Sequence, residues 1–156
     1  MAEKPEAPVS PAEARAIAYR YLGRREYGCR ELALKLERRG VDSSTASSVV
    51  QDLNSEGLVS DVRFAEAFVR SKVERLFGPL KIRGQLRQRG IDDSVIEPAL
   101  EEYREIWMDS ALAWVNKRAP DRLDQAEKAR LYRSGKNRGF MHEQIMRALD
   151  LYQAQS

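Results

Sequence analysis

The chain has 156 residues, of which 42% are hydrophobic and 33% charged, with nine glycines, six prolines and one cysteine. This length suits one globular domain or a few small repeated modules, and the apolar fraction is too high for a chain that is disordered overall. A single cysteine excludes an internal disulfide framework. No uncharged stretch approaches the roughly 20 residues that a membrane-spanning helix requires, and the first residues lack the apolar core of a signal peptide. We therefore expect a cytoplasmic protein that does not bind membranes.

Charge is distributed unevenly along the sequence. The total of 27 Lys and Arg against 24 Asp and Glu gives a net charge of +3, which is too small to indicate nucleic-acid binding by itself. Residues 70–89, however, carry seven basic side chains and one acidic one, whereas residues 92–109 carry seven acidic side chains and one basic one. This polarity predicts a basic surface and an acidic surface, although ordinary solvated helix faces give the same pattern.

One motif recurs three times, at intervals of 50 and 49 residues. An Arg-Gly-apolar step stands at 39–41, 89–91 and 138–140. Behind each glycine, apolar residues follow at the i, i+3, i+4, i+7 spacing of one helix face. These quartets are Ala46, Val49, Val50 and Leu53; Ile96, Ala99, Leu100 and Tyr103; and Ile145, Ala148, Leu149 and Tyr152. The sequence therefore predicts three tandem repeats.

Each repeat is predicted to contain three helices. Ser10 and Ser60 are placed to cap helices 1 and 4, and the run 42–44 to cap helix 3. Gly40 and Gly90 are expected to end helices 2 and 5 with a left-handed backbone. The predicted segments are a disordered tail at 1–9 and repeats at 10–58, 59–102 and 103–156.

Further helix limits follow from the apolar spacing and from proline and glycine. No segment alternates in the manner of a strand, so the fold class is all-α. Pro98 predicts a kink in helix 6 or a late start to it. The helices of the third repeat are expected at Tyr103–Arg118, Asp121–Ser134 and Met141–Gln153. The apolar stripe of helix 4 is expected to be Val62, Ala65, Val69, Val73 and Leu76. The aromatic residues assigned to the core are Phe64, Phe68, Phe77, Trp107 and Trp114.

A three-helix unit with a glycine turn before its last helix also suggests a helix-turn-helix DNA-binding domain. In that motif the last helix needs basic or amide side chains directed at bases and phosphates. Helix 3 instead carries Asp52 and Glu56 and no basic residue, helix 6 is strongly acidic, and on helix 9 Arg147 is offset by Glu143 and Asp150. Any nucleic acid is therefore expected to contact the basic first two helices of a repeat.

Catalytic chemistry has little support in the sequence. His142 and Cys29 are the only residues of their types, so neither has the partners that a metal site requires. Cys29 begins a helix, which predicts a somewhat acidic thiol, but a packing role is favoured over a redox one. No glycine-rich phosphate loop is present. We expect no enzymatic activity, no metal and no cofactor.

Several short stretches, between about Ala14 and Leu100, carry a family resemblance. They are Arg25-Glu26-Tyr27, Glu31-Leu32, Leu36, Arg39-Gly40, Glu56-Gly57-Leu58-Val59-Ser60-Asp61, Arg63-Phe64-Ala65, Phe68-Val69, Gly78-Pro79-Leu80-Lys81-Ile82, Leu86 and Arg89-Gly90-Ile91. In their order and spacing the sequence resembles RecX, the family of regulatory proteins that act on the RecA recombinase. Gly28 stands where that family usually has Ser, so helix 2 is expected to be less well capped. Ser60 stands where Asp is common and remains a good cap.

The resemblance implies an elongated, curved, solenoid-like monomer that lies in the groove of the RecA filament on DNA. It implies modulation, usually inhibition, of the recombinase, ATPase and coprotease activities of RecA, and hence a role in DNA repair, recombination and the SOS response. The alternative is a stand-alone, sequence-nonspecific DNA-binding protein that uses its basic helices. Weak direct binding to DNA is compatible with both functions.

The candidate residues for contact with RecA or DNA are basic and concentrated on helices 4 and 5. They are Arg24, Arg25, Arg70, Lys72, Arg75, Lys81, Arg83 and Arg87. Arg83 and Arg87 are four residues apart, so they share one face of helix 5, and we expect that face to be turned toward solvent. The alternative is that both pair with the acidic helix 6 and stabilise the repeat.

Overall fold

The computed structural model describes residues 7–155, and within this range the protein is helical with no strand. The predicted all-α fold of three tandem three-helix repeats is confirmed. The helices are α1 (Pro11–Leu22), α2 (Cys29–Arg38), α3 (Ser43–Ser55), α4 (Asp61–Glu74), α5 (Pro79–Gln88), α6 (Asp93–Glu101), α7 (Trp107–Arg118), α8 (Gln125–Arg138) and α9 (His142–Ala154). Most of the predicted tail, residues 1–6, lies outside the described residues. The repeat boundaries stay a prediction.

The described chain forms two compact units. The first contains the residues up to Phe64 together with Arg89–Ile91, and the second contains Ala65–Gln88 and the residues from Asp92 onward. In the first unit α1, α2 and α3 pack around an apolar core, with Val9 half-buried against it. In the second unit α7 packs against α9 around a core that includes Trp114 and Phe140. Trp107, Trp114 and Phe64 are buried as expected, whereas Phe68 and Phe77 are half-buried.

Local capping chemistry explains why the helices begin where they do. The Ser10 hydroxyl accepts a hydrogen bond from the Glu13 N–H at 3.2 Å, and the Ser60 hydroxyl accepts one from the Arg63 N–H at the same distance. Each bond satisfies a backbone donor that the first turn leaves without a partner. Both serine caps are therefore confirmed.

The N-terminus of α2 is capped by a residue that lies far from it in sequence. Gly28 offers no side chain there, but the Cys29 N–H donates to Oδ1 of Asp61 at 2.8 Å. A Cβ on Gly28 would lie only 3.0 Å from Cδ1 of Ile91. The glycine thus leaves room for close packing, and Asp61 supplies the cap.

The glycine turns have the predicted left-handed backbone. Gly40 has a φ of 88° and Gly90 a φ of 81°, and Gly139 ends α8 in the same way with a φ of 101°. Beyond Gly40, the Val41 N–H donates to the Leu36 carbonyl at 3.0 Å. This six-to-one bond is typical of a helix that closes on a left-handed residue.

The predicted apolar stripe of helix 4 is wrong at its two ends. Val62 is 51% exposed, whereas Ala65 and Val69 are buried as expected and Phe64 is buried beside them. Leu76 lies beyond the helix with a φ of 61°. Of the two outcomes expected at Pro98, the late start does not occur, because α6 begins at Asp93, where the Asp92 side chain accepts from the Ser94 N–H at 2.9 Å. A kink at Pro98 stays a prediction.

In the third repeat, two predicted helices start four residues too early. The segment before Trp107 forms successive i to i+3 turns, for example from the Ile106 N–H to the Tyr103 carbonyl at 2.8 Å, so α7 starts late. Helix α8 starts after Asp124, whose side chain accepts from the Glu127 N–H, rather than at Asp121. It also continues through Gly135, where a Cβ would meet Ile145 at 3.1 Å.

Candidate functional site

The structure separates the eight predicted basic residues into groups with different surroundings. Arg24 and Arg25 belong to the first unit, and the other six belong to the second. Arg70 is exposed on α4 and forms no ion pair with a carboxylate within residues 7–155. The remaining residues differ in whether an acidic side chain neutralises their charge.

Arg83 and Arg87 are paired with carboxylates of α6. Arg83 Nε donates to Glu97 Oε1 at 2.6 Å and its Nη2 to Oε2 at 3.1 Å. Arg87 Nε and Nη2 donate to Asp93 at 2.8 and 2.9 Å. These bonds lower the pKa values of Glu97 and Asp93 below their usual range. Arg87 is exposed as expected and Arg83 is half-buried, but carboxylates hold both guanidinium groups, so the alternative of pairing with the acidic helix 6 is the one observed.

Three other predicted residues, Lys72, Arg75 and Lys81, meet around the ring of Phe77. The distances to the ring centre are 4.8 Å from Lys72 Nζ, 5.4 Å from Arg75 Cζ and 5.6 Å from Lys81 Nζ. Arg138 approaches most closely, with its Cζ 3.7 Å from the centre. Cations within about 6 Å of an aromatic ring are attracted by its quadrupole. We call Phe77 and these four basic residues the Phe77 cluster.

A tight backbone contact builds the cluster. Helix α4 ends at Glu74, and the chain turns at Leu76 so that the Phe77 N–H donates to the Lys72 carbonyl at 3.0 Å. The Gly78 N–H then donates to the Arg138 carbonyl at 3.0 Å. A Cβ on Gly78 would overlap the backbone of Gly139. Only a glycine permits this approach, which brings the segment after α4 onto the end of α8.

Three cations of the cluster, Arg75, Lys81 and Arg138, are not neutralised by acidic side chains. Arg138 donates to the backbone carbonyls of Leu76, at 2.9 Å, and of Arg75. Burial lowers the pKa of Arg138, and the neighbouring charges of Arg118 and Arg75 lower it further. Among residues 7–155, no carboxylate forms an ion pair with any of the three. The arrangement is therefore suited to binding an anion.

The residues predicted from sequence include neither Arg138, a member of the Phe77 cluster, nor Arg118, whose positive charge acts on Arg138. The sequence pattern indicates Arg138 only as part of the repeated Arg-Gly step, and it lies 62 residues from Leu76, to which it is hydrogen-bonded. A signal exists in Gly78 and Gly139, since glycine allows two backbone segments to approach each other closely.

Arg25 in the first unit contacts an aromatic ring and a carboxylate. Its guanidinium lies 3.7 Å from the Tyr27 ring centre, and its Nη2 is 2.8 Å from Glu31 Oε1. Glu31 also pairs with Arg89 at 2.8 Å. Arg24 differs, because it lines a small open cleft together with Ile17, Arg20, Tyr21 and Arg39. Both arginines are exposed, but among residues 7–155 only Arg25 of the two forms an ion pair.

Neither Cys29 nor His142 lies in a catalytic arrangement. Burial, and then the charge and hydrogen bond of Asp61, raise the pKa of the Cys29 thiol to about 11. The expectation of an acidic thiol is therefore wrong. His142 is exposed at the start of α9, with Nδ1 2.9 Å from the Tyr132 hydroxyl. In the described part of the chain no group of His, Cys, Asp and Glu is arranged to hold a metal ion, and no helix there could span a membrane.

Comparison with known proteins identifies the family. One family model, RecX, first three-helix domain, matches residues 14–53, and another, RecX, second three-helix domain, matches residues 60–100. The chain is 42% identical over 145 residues to Regulatory protein RecX of Halorhodospira halophila, covering 92% of this chain and 90% of that protein. It is 41% identical to Regulatory protein RecX of Chromohalobacter salexigens, covering 88% and 91%. The chain belongs to the RecX family of regulatory proteins.

Solved structures agree on the fold. The crystal structure of RecX from Lactobacillus salivarius superposes with a TM-score of 0.83 at 21% identity, over 92% of this chain and 97% of that one. A second crystal structure, of regulatory protein RecX, gives a TM-score of 0.80 at 22% identity, over 90% of this chain and 73% of that one. These likenesses cover more of the chain than the two matched family domains do.

Proposed function

We propose that this protein regulates the RecA recombinase by binding to RecA filaments on DNA, with inhibition as its usual effect. The observation that carries the proposal is membership of the RecX family, since relatives named as regulatory proteins match nearly the whole chain. The regulator acts by binding, as a monomer in the groove of the filament, and performs no chemistry of its own.

The charge pattern supports a partner that combines nucleic acid with protein. Four side chains offer positive charge without paired carboxylates, as binding to a polyanion requires: Arg70, Arg75, Lys81 and Arg138. At the C-terminal end of α6 and in the turn behind it, three acidic side chains are exposed, and only one of them is offset by a neighbouring arginine, Arg104; the three are Glu101, Glu102 and Glu105. Acidic side chains there repel phosphates, so this part of the molecule is suited to a basic protein surface.

The alternative is a stand-alone DNA-binding protein, and the Phe77 cluster is the observation that favours it. The two functions differ in how binding responds to salt. Counterion release dominates nonspecific DNA binding, so that affinity falls steeply as salt rises. A complex that also buries protein surface retains affinity at higher salt.

Cosedimentation tests the proposal. RecA filaments are assembled on single-stranded DNA with a slowly hydrolysed ATP analogue and pelleted with the protein at two salt concentrations. We expect the protein to stay with filaments at a salt concentration that removes it from the same DNA without RecA. The DNA-dependent ATPase of RecA, measured separately with ATP, should fall in parallel. Equal release from filaments and from bare DNA, with unchanged ATPase, would contradict the proposal and support the alternative.

A further inference from the structure

We propose that the Phe77 cluster is the site that binds backbone phosphates of DNA, and that Arg83 and Arg87, in the same basic stretch of sequence, have a structural role. The inference deepens the proposed function by naming the residues that contact DNA. It rests on that function only in taking DNA as the source of the phosphates.

The first argument is the contrast in neutralisation between neighbouring cations. The guanidinium groups of Arg83 and Arg87 each donate two hydrogen bonds to a carboxylate of α6. Arg75 and Lys81 are exposed, and in residues 7–155 neither forms an ion pair with an acidic side chain. Their positive charge therefore remains available to an external anion, whereas that of the paired arginines does not.

The second argument is that the fold holds like charges together. Burial, together with the nearby charges of Arg118 and Arg75, lowers the pKa of Arg138. The Phe77 ring and the carbonyl oxygens of Arg75 and Leu76 offset part of the repulsion. A bound anion would offset the remainder, and this is the condition under which convergent cations have a binding function.

The third argument is that the cluster is positioned by backbone rather than by flexible side chains alone. Gly78 and Leu80 donate to the carbonyls of Arg138 and Gly139 at 3.0 and 2.9 Å. Lys81 follows directly and its Nζ donates to the Asn137 carbonyl at 3.3 Å. Pre-positioned charges lose less conformational entropy when they bind a ligand.

The chemistry favours nucleic acid over an acidic protein segment. Protein interfaces generally contain an apolar or aromatic core, but the one aromatic ring in the cluster is half-buried and covered by Arg138. The cluster therefore presents positive charge rather than an aromatic core. Sequence-independent contact with phosphates needs only positive charge, because such contacts position a protein on the nucleic-acid backbone and carry no base information.

The test compares three double variants that each remove two positive charges. Arg75→Gln with Lys81→Gln alters the cluster, and Arg83→Gln with Arg87→Gln alters the paired arginines. Arg133→Gln with Arg147→Gln is the matched control, since both residues are exposed on α8 and α9. Affinity for a fluorescent oligo-dT strand is measured at a series of salt concentrations, and thermal melting checks that each variant is folded.

We expect the cluster variant to lose affinity several-fold and to show a shallower salt dependence. The slope of log affinity against log salt should fall by about 0.7 for each phosphate of a single strand that the variant no longer neutralises. The paired and control variants should keep a slope close to that of the unaltered protein. An unchanged slope in the cluster variant, or an equal decrease in all three, would overturn the proposal.

A second measurement uses the unaltered protein, so it does not depend on how any variant folds. Acetylation of lysine amines is mapped with and without oligo-dT, and separately with inorganic phosphate. We expect oligo-dT to protect Lys81 but not Lys128, and free phosphate to protect Lys81 only weakly. Equal acetylation of Lys81 in the presence and absence of oligo-dT would overturn the site. If oligo-dT protects Lys81 while RecA activity is unaffected by the protein, the phosphate site stands and the proposed regulation fails.

Discussion

Arg83 and Glu97 are joined by two parallel hydrogen bonds, with Nε to Oε1 at 2.6 Å and Nη2 to Oε2 at 3.1 Å. The pair connects the middle of α5 to the middle of α6. The side chain of Arg83 is 26% exposed and that of Glu97 50% exposed, so solvent weakens the attraction. Pairs of this kind contribute roughly 0.2–1 kcal/mol to stability.

A double-mutant cycle with Arg83→Gln and Glu97→Gln should give a coupling energy near the upper end of that range at low salt, about 1 kcal/mol. Arg83 lowers the pKa of Glu97 in the folded protein, so the stabilisation is present above the unfolded pKa of about 4.3. It is lost as the pH falls through the lower folded value. Denaturant unfolding at pH 7 and at about pH 3 measures both quantities, and a coupling that persists unchanged in acid would contradict the assignment.

Replacing the left-handed glycines should destabilise the protein to different degrees. Gly40→Val introduces a side chain into open space, so its cost is backbone strain of about 1–2 kcal/mol. Gly90→Val carries the same strain and in addition overlaps the Arg30 side chain. We therefore expect Gly90→Val to lower the free energy of unfolding more than Gly40→Val does. Chemical denaturation measures the free energy of unfolding of both variants. A neutral result at either position would be inconsistent with the observed left-handed turns.

The crossing of Gly78 and Gly139 should be intolerant of any side chain. Gly78→Ala places a methyl group on the backbone of Gly139 and Phe140, which cannot move as a flexible side chain would. We expect a loss of about 3 kcal/mol. Gly84→Ala is the control, because nothing lies near that position within α5 and a helical alanine is favoured by about 0.5–1 kcal/mol. Opposite shifts in melting temperature would support the crossing, and equal shifts would refute it.

The Cys29 thiol should react slowly with thiol reagents because burial and Asp61 raise its pKa to about 11. Asp61→Asn removes the negative charge and should increase the reaction rate at pH 8. The folded pKa lies above the unfolded one, so the neutral thiol stabilises the fold below about pH 8.5. This stabilisation is lost as the pH rises toward the folded value. Stopped-flow modification kinetics test the rate, and a fast reaction of the unaltered protein at pH 8 would contradict the buried environment.

The parts of the fold that sequence predicts correctly depend on local chemistry. Ser10 and Ser60 cap their helices through bonds to residues three positions away, and Gly40 and Gly90 need only their own backbone freedom. The predicted start of α8 is wrong because Asp121 and Asp124 both follow Pro120 at cap-like positions, and only the folded chain selects Asp124.

The candidate site is less predictable, because it depends on contacts distant in sequence. Arg83 and Arg75 lie in the same basic stretch of sequence, yet Arg83 contacts Glu97 and Arg75 contacts Phe77. Arg138 reaches the cluster from a distant part of the sequence, through a backbone crossing that no periodicity indicates. Composition predicts a basic surface but does not assign which cations are neutralised.

The cap on α2 bears on whether a repeat is an autonomous folding module. Asp61, which accepts the Cys29 N–H at 2.8 Å, is the first residue of α4, beyond the predicted boundary at residue 58. A fragment cut at that boundary would leave the donor at the start of α2 without its acceptor, a loss of about 1 kcal/mol. Truncating this protein at that boundary would therefore remove a stabilising residue from the first repeat, so a fragment that keeps the cap on α2 has to extend at least to Asp61.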